Sequence, residues 1–148
     1  MVGFIRRILR LGVRAGMPAR DEGHVVVSNA VALIAVLQLV PLAGFALAAQ
    51  LERTFVWVAV TALAFLSTLA VAATGRVLLA RAWLAVVAAA GIVGGCALLG
   101  PDVGVEVYLL VSIATAWNVW SSASRAVLVT LVFVVAYVAV MVVYARVP

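Results

Sequence analysis

The chain has 148 residues, 68% of them apolar and 10% charged, with a net charge of +5. Soluble domains hold roughly 45–50% apolar and about 25% charged residues, so this composition excludes an ordinary water-soluble domain and predicts an all-α, polytopic membrane helix bundle. One cysteine and one histidine also exclude an internal disulfide framework and a zinc cluster of cysteine and histidine ligands, and we expect neither a metal nor a cofactor.

Residues 1–24 form a basic segment ahead of the long apolar runs. In a helix over residues 2–14, its arginines fall within about 100° of arc, opposite a side made of phenylalanine, isoleucine and leucine. This pattern predicts an N-terminal amphipathic helix at the cytoplasmic membrane interface. The alternative is a helix that packs on a soluble domain. The arginines expected to contact anionic lipid headgroups are Arg6, Arg7, Arg10 and Arg14.

Residues 25–148 hold five apolar runs long enough to be transmembrane helices, each of which needs roughly 20 residues. A short polar link at residues 21–23 should separate the first run from the basic helix. The predicted spans are residues 25–49, 55–73, 83–99, 103–120 and 126–145. With a cytoplasmic amino terminus, eight of the ten arginines face the cytoplasm, and Arg53 and Arg146 lie outside. Because short cytoplasmic loops retain arginine, this orientation in a bacterial inner membrane is predicted.

Polar side chains inside the spans are candidate ligand-binding groups, because hydrocarbon gives them no partner. The first span carries Asn29. Within the fourth span, several polar residues fall within about 120° of one helix face, and Glu106 lies near its outer boundary. The stripe either lines a small cavity or hydrogen-bonds to neighbouring helices. Its members are Tyr108, Ser112, Thr115 and Asn118.

Small residues on the third span predict a close helix contact. Gly91 and Gly95 lie four positions apart, a spacing that lets two backbones approach each other. The partner helix belongs either to the same bundle or to a second copy of the chain. Cys96, beside this face, should act as a small buried apolar residue.

Familiar catalytic patterns are absent from the sequence. It has no lysine, no glycine-rich phosphate loop, no paired acidic motif and no histidine within a catalytic-triad motif. We therefore expect that these residues do not form an enzyme. Nucleic acid is an unexpected partner as well, because the arginines flank membrane spans and no zinc, helix-turn-helix or aromatic RNA-binding motif surrounds them.

Three stretches resemble a known arrangement. They are LRLGVRAGMPARDEGHVVVSNAVALIAV (residues 9–36), GRVLLARAWLAVV (75–87) and LLGPDVGVEVYLLVSIA (98–114). Together they resemble the six-helix membrane input region of bacterial signalling enzymes, including class III adenylate cyclases, sensor histidine kinases and diguanylate cyclases. The positions that carry the resemblance are Asn29, Gly100, Gly104, Tyr108 and Leu109.

The resemblance implies a membrane anchor and sensory input region, expected to be a homodimer, which relays a signal to a cytoplasmic output enzyme outside these 148 residues. A sixth span would then come from a longer chain or from a partner. The expected partners are the lipid bilayer, anionic lipids, a second copy and an output domain. The alternatives are a small proton-coupled or multidrug-type transporter that uses Glu106, or a structural membrane subunit.

Overall fold

The computed structural model describes residues 2–99, 112–114, 116–117, 119–120 and 122–145. These residues form helices and no strand, which confirms the all-α class. The predicted span at 103–120 lies mostly outside the described residues. Of the described helices, the last four are long and apolar enough to cross a membrane. The helices are α1 (Val2–Leu9), α2 (Ala19–Ala48), α3 (Glu52–Ala73), α4 (Val77–Leu99) and α5 (Ala123–Ala145).

The outer surface of the bundle is apolar. Large apolar side chains remain exposed along α2 and α3, for example Leu37 at 62% and Leu63 at 65%. Soluble monomers rarely leave apolar patches of this extent uncovered, whereas hydrocarbon is a matching solvent for helices whose backbone hydrogen bonds are internal. The four apolar helices thus fit a multi-pass membrane protein.

The start of α2 differs from the prediction. We expected a polar link at residues 21–23 and a span from residue 25, but the helix begins at Ala19. Pro18 precedes it, and the Pro18 carbonyl accepts the backbone N–H groups of Asp21 and Glu22 at 2.9 and 3.0 Å. Acidic side chains in the first turn favour the positive end of a helix. The polar residues therefore begin the helix instead of interrupting it.

Tight turns join α2 to α3 and α3 to α4. At the end of α2, the N–H of Leu51 donates to Ala46 O at 2.8 Å, and Gln50 has a φ of 56°. This pair of features is the Schellman arrangement, which satisfies the last carbonyls of a helix. At the end of α3, Gly75 has a φ of 77° and donates to Ala72 O at 2.9 Å. Both turns reverse the chain, so consecutive helices run antiparallel.

The start of α4 also differs from the prediction. We predicted that this span begins at residue 83, after the charged Arg81, but the helix begins at Val77. Arg81 therefore lies inside α4 and not in a loop. Its side chain is 4% exposed, so protein atoms, and not lipid, surround it. A charged residue can stay in an apolar helix when it faces the bundle interior.

One apolar core joins α2, α3 and α4, with the buried side chains Ala32, Phe65 and Leu84 each coming from a different helix. Apolar area that leaves water on folding stabilises the fold by about 25 cal/mol per Å². Within a membrane, the stabilisation comes instead from close packing of the helices. A smaller cluster joins α4 to α5 through Cys96 and Val140.

The N-terminal helix divides its apolar side between the bundle and the outside. It ends at Leu9, before the predicted residue 14, because the chain turns at Gly12, whose φ is 84°. Ile8 and Leu11 pack against the core of the bundle. Phe4 is 69% exposed, so the apolar surface that α1 leaves for lipid lies in its first turns.

Cationic side chains gather where α1, the start of α2, the α3–α4 turn and the start of α5 meet, and we call this the basic end. Arg76 and Arg81 mark the start of α4, and Arg125 lies in the first turn of α5. Arg81 interacts electrostatically with Asp21 of α2 and with Arg125, which places the three helix starts close together. Arg53 lies at the opposite end, at the start of α3.

Candidate ligand cavity and docked N-terminal segment

A buried amide fastens the N-terminal segment, residues 2–17, to the bundle. Asn29 is 1% exposed, and its Nδ2 donates to Leu9 O at 3.0 Å and to Leu11 O at 2.9 Å. The last carbonyls of a helix lack partners within that helix. Asn29 supplies a donor to Leu9 O at the end of α1 and to Leu11 O in the turn that follows. The donor group of Asn29, a candidate ligand-binding residue, is thus used within the chain.

Two arginines expected to contact lipid also bind protein groups. Arg10 forms an ion pair of 2.7 Å with Glu22 of α2. The Nη2 of Arg14 donates to Gly75 O, in the α3–α4 turn, at 3.1 Å. Arg6 and Arg7 are exposed on α1. The segment is therefore attached to α2 and to the α3–α4 turn at the same time.

The turn at Gly12 fits closely against the end of α3. A Cβ atom added to Gly12 would lie 2.7 Å from Ala72 O and 3.3 Å from the Cγ2 of Val77. Gly16, in the same segment, also has a positive φ, of 81°, but an added Cβ would have nothing within 4 Å. Both glycines have a positive φ, which other residues rarely adopt, but only Gly12 packs closely against another element.

We expect Gly12→Ala to loosen the N-terminal segment more than Gly16→Ala does. Each alanine costs about 1–2 kcal/mol of left-handed backbone strain, and Gly12→Ala adds an overlap with a carbonyl oxygen that cannot move freely, of about 1–3 kcal/mol. Hydrogen exchange of the amides in residues 2–17 measures this difference. Equal exchange in the two variants would show that the segment does not dock on α3.

A cavity of about 400 Å³ lies between α2, α3, α4, α5 and described residues of the segment that joins α4 to α5. Its volume falls within the roughly 300–1,000 Å³ of small-molecule sites. Apolar side chains form most of its wall. The polar side chains that reach it from the described residues are Gln38, Thr61, Arg81 and Ser112.

Of the described residues in the wall of this cavity, Arg81 carries the charge. Among the described residues, no acceptor hydrogen-bonds to its Nε, which is buried. Asp21 attracts the guanidinium and Arg125 repels it, but no described carboxylate forms an ion pair with Arg81 within 4 Å. Because arginine does not lose its proton in proteins, the side chain remains a buried cation. A buried charge without an ion-pair partner is destabilising, so the absence of one among the described residues favours an anion in the cavity.

The glycines predicted to contact another helix lie against α3 of the same chain. A Cβ at Gly91 would be 3.3 Å from the Cγ2 of Thr61, and a Cβ at Gly95 would be 3.2 Å from the indole of Trp57. Gly94, between them, is the tightest position, because its added Cβ would overlap the Nε1 of Trp57. Gly91 and Gly95 also line the cavity.

The predicted polar stripe is described in part. Ser112 lines the cavity, whereas Glu106, Tyr108, Thr115 and Asn118 lie outside the described residues. Asn29 does not line the cavity, so the described structure does not bring it together with Ser112.

Sequence reasoning missed Arg81 and Trp57 as cavity residues. The sequence did indicate that Arg81 lies within a helix, because the residues on both sides of it are apolar and helix-forming. A single charge does not end a helix in such a run. It missed a link between α3 and α4 as well, in which Trp83 Nε1 donates to Ser67 Oγ at 2.7 Å. Nothing in the local sequence pairs these two residues.

Comparison with known proteins does not assign the chain to a group. No family model matches it, and no curated protein or solved structure is significantly similar to it. The function is therefore inferred from the docked segment, the cavity and the chemistry of the residues that form them.

Proposed function

We propose that the chain is the membrane anchor and sensory input region of a signalling protein, in which a rearrangement of the helix bundle changes the docking of the N-terminal segment. The output would come from a cytoplasmic enzyme domain on a longer polypeptide or on a partner, as the resemblance implies. The observation that carries the proposal is the double attachment of this segment, through Asn29 to α2 and through Arg14 to the α3–α4 turn.

Double attachment makes the segment sensitive to movement within the bundle. If α2 shifts against the α3–α4 turn, the bonds at Asn29 and at Arg14 cannot both keep their lengths. Each such hydrogen bond contributes about 1 kcal/mol net to stability. The free energies of the docked and released states can therefore differ by only a few kcal/mol. A ligand that prefers one arrangement of the bundle can bias an equilibrium of that size.

The proposed setting is a bacterial inner membrane with a cytoplasmic amino terminus. In this orientation the basic end faces the cytoplasm, in agreement with the retention of arginine on that side. The exposed Arg6 and Arg7 are available to anionic lipid headgroups. A second copy of the chain would bring two basic ends together, as a homodimeric input region requires.

The test fills the cavity and follows the N-terminal segment. A nitroxide label on Ala15→Cys, in a Cys96→Ala background, reports the mobility of the segment; Ala15 is exposed. Ala88 lines the cavity, and Ala88→Phe should press α4 away from its neighbours and shift the turn that holds Arg14. We expect a more mobile label in the electron paramagnetic resonance spectrum.

Ala90→Phe is the matched control. It makes the same change on the same helix, but Ala90 is exposed and does not line the cavity, so the label should keep its mobility. If Ala88→Phe and Ala90→Phe leave identical spectra, the bundle and the segment are not coupled, and a structural membrane subunit becomes the better hypothesis.

The transporter alternative has its own test. The full chain in proteoliposomes should show no proton-driven uptake of a cationic dye if it is an input region. Uptake that disappears in Glu106→Gln would favour a proton-coupled transporter, because loss of that carboxyl removes the group that would exchange the proton.

A further inference from the structure

The cavity is elongated and carries its cation at one end. Its α4 wall runs from Arg81 to Cys96, which is about 22 Å of helix at 1.5 Å per residue. Arg81 lies at the basic end, and the wall beyond it is built from side chains such as Leu84, Ala88 and Ile92. A ligand that matches this wall has a long apolar body and one polar end.

The chemistry of Arg81 defines that polar end. Its guanidinium carries a permanent charge and a planar fork of N–H donors that suits the oxygen pairs of a carboxylate or phosphate. The buried Nε lacks an acceptor among the described residues. Asp21 attracts the guanidinium without an ion pair, and this attraction exceeds the repulsion by Arg125. The permanent charge of Arg81 and an Nε that has no acceptor among the described residues therefore favour an oxyanion.

We propose that this cavity binds a single-chain anionic amphiphile, whose carboxylate or phosphate head pairs with Arg81 and whose hydrocarbon chain lies along α4. Small residues form the α4 wall beside that chain, since Ala88, Gly91 and Gly95 all line the cavity. A volume of about 400 Å³ is near the lower end of the range for ligand sites, which favours one chain over the two chains of a bilayer phospholipid.

This inference rests on the proposed sensory function, for which the amphiphile would be the stimulus. Binding is measured with the full chain in nanodiscs of zwitterionic lipid at alkaline pH, where a fatty acid is ionised. Bromolauric acid should quench tryptophan fluorescence saturably, because Trp57 and Trp120 line the cavity, and unlabelled lauric acid should compete. Bromolauryl alcohol, with the same chain and a neutral head, should give only the non-saturating quenching of a molecule dissolved in lipid.

The source of the oxyanion is decided by competition. Lauric acid represents ligands with a carboxylate head, and lauryl phosphate represents ligands with a phosphate head. The one that binds more tightly identifies the head group that the site prefers. If lauryl alcohol competes as well as either anion, the pairing with Arg81 is wrong, whatever any variant shows.

Arg81→Gln tests the named residue. It should weaken the binding of lauric acid about 10- to 100-fold, as expected for the loss of a charge-assisted pair. The ligand-free variant should unfold at the same or a higher temperature, because a buried cation is destabilising when it has no ion-pair partner, and none of the described carboxylates supplies one. Arg76→Gln is the matched control, since Arg76 is exposed at the start of the same helix and does not line the cavity; its affinity should equal that of the natural chain.

Undiminished binding by Arg81→Gln would overturn the proposal. The label on Ala15→Cys then separates this failure from failure of the sensory function. If lauric acid binds through Arg81 and the label does not respond to Ala88→Phe, the ligand site stands and the sensory function is wrong. If Ala88→Phe mobilises the label and lauric acid does not bind, the sensory function stands with a different stimulus.

Discussion

Gly94→Ala is expected to destabilise the contact between α3 and α4 by about 1–3 kcal/mol, the usual effect of overpacking a well-packed interface. The added methyl group would overlap the indole nitrogen of Trp57, and the ring edge on either side of that nitrogen lies within 3.2 Å. Relief requires the whole indole to move, or the two helices to separate. Denaturant-induced unfolding in mixed micelles, followed by tryptophan fluorescence, measures the loss.

Gly44→Ala provides the comparison for this prediction. Gly44 lies inside α2, and a Cβ added there would have nothing within 4 Å. Alanine has a better helix propensity than glycine by about 1 kcal/mol, so this variant should be neutral or slightly stabilising. If Gly94→Ala and Gly44→Ala have equal free energies of unfolding, the glycine face of α4 does not pack on Trp57.

The pattern of apolar residues was sufficient to predict the helices that the structure describes. Hydrocarbon requires long apolar helices with internal backbone hydrogen bonds, and this requirement is visible in composition alone. At the basic end, α2 and α4 begin earlier than the predicted spans, for a physical reason. Asp21 and Arg81 were expected to lie outside a span because each carries a charge. In the structure, Asp21 lies in the first turn of α2, where an acidic side chain is favourable, and Arg81 is buried inside the bundle.

The candidate site was harder to predict because its geometry joins distant parts of the chain. Asn29 was noticed as a polar residue in an apolar run, but its acceptors, Leu9 O and Leu11 O, are carbonyls that have no side-chain signature. The spacing of Gly91 and Gly95 indicated a close contact, yet spacing cannot show which helix makes it or that Gly94 fits most tightly. A cavity depends on how helices pack, and one sequence does not encode that packing in any local pattern.

Asn29→Asp is expected to release the N-terminal segment while the helices remain folded. A carboxyl group is nearly the same size as the amide, but it has one proton to donate when it is neutral and none when it is ionised. At least one of Leu9 O and Leu11 O is therefore left without a donor and faces a carboxyl oxygen at the distance of about 3 Å that the amide nitrogen occupied. A buried polar group that loses its partner costs about 1–3 kcal/mol, and more when a charge is involved.

Trypsin cleavage after Arg10 or Arg14 measures this release, because the protease needs the segment to leave its docked position. When opening is fast compared with cleavage, the rate follows the population of the open state, so 3 kcal/mol corresponds to about a 100-fold faster cut. Ser28→Ala is the matched control. Ser28 is a buried polar neighbour whose hydroxyl donates to Val25 O within its own helix at 2.9 Å, so its loss should leave the cleavage rate unchanged. Equal rates in Asn29→Asp and Ser28→Ala would mean that Asn29 does not hold the segment. The proposed signalling mechanism would then lose the hydrogen bonds that couple the segment to α2.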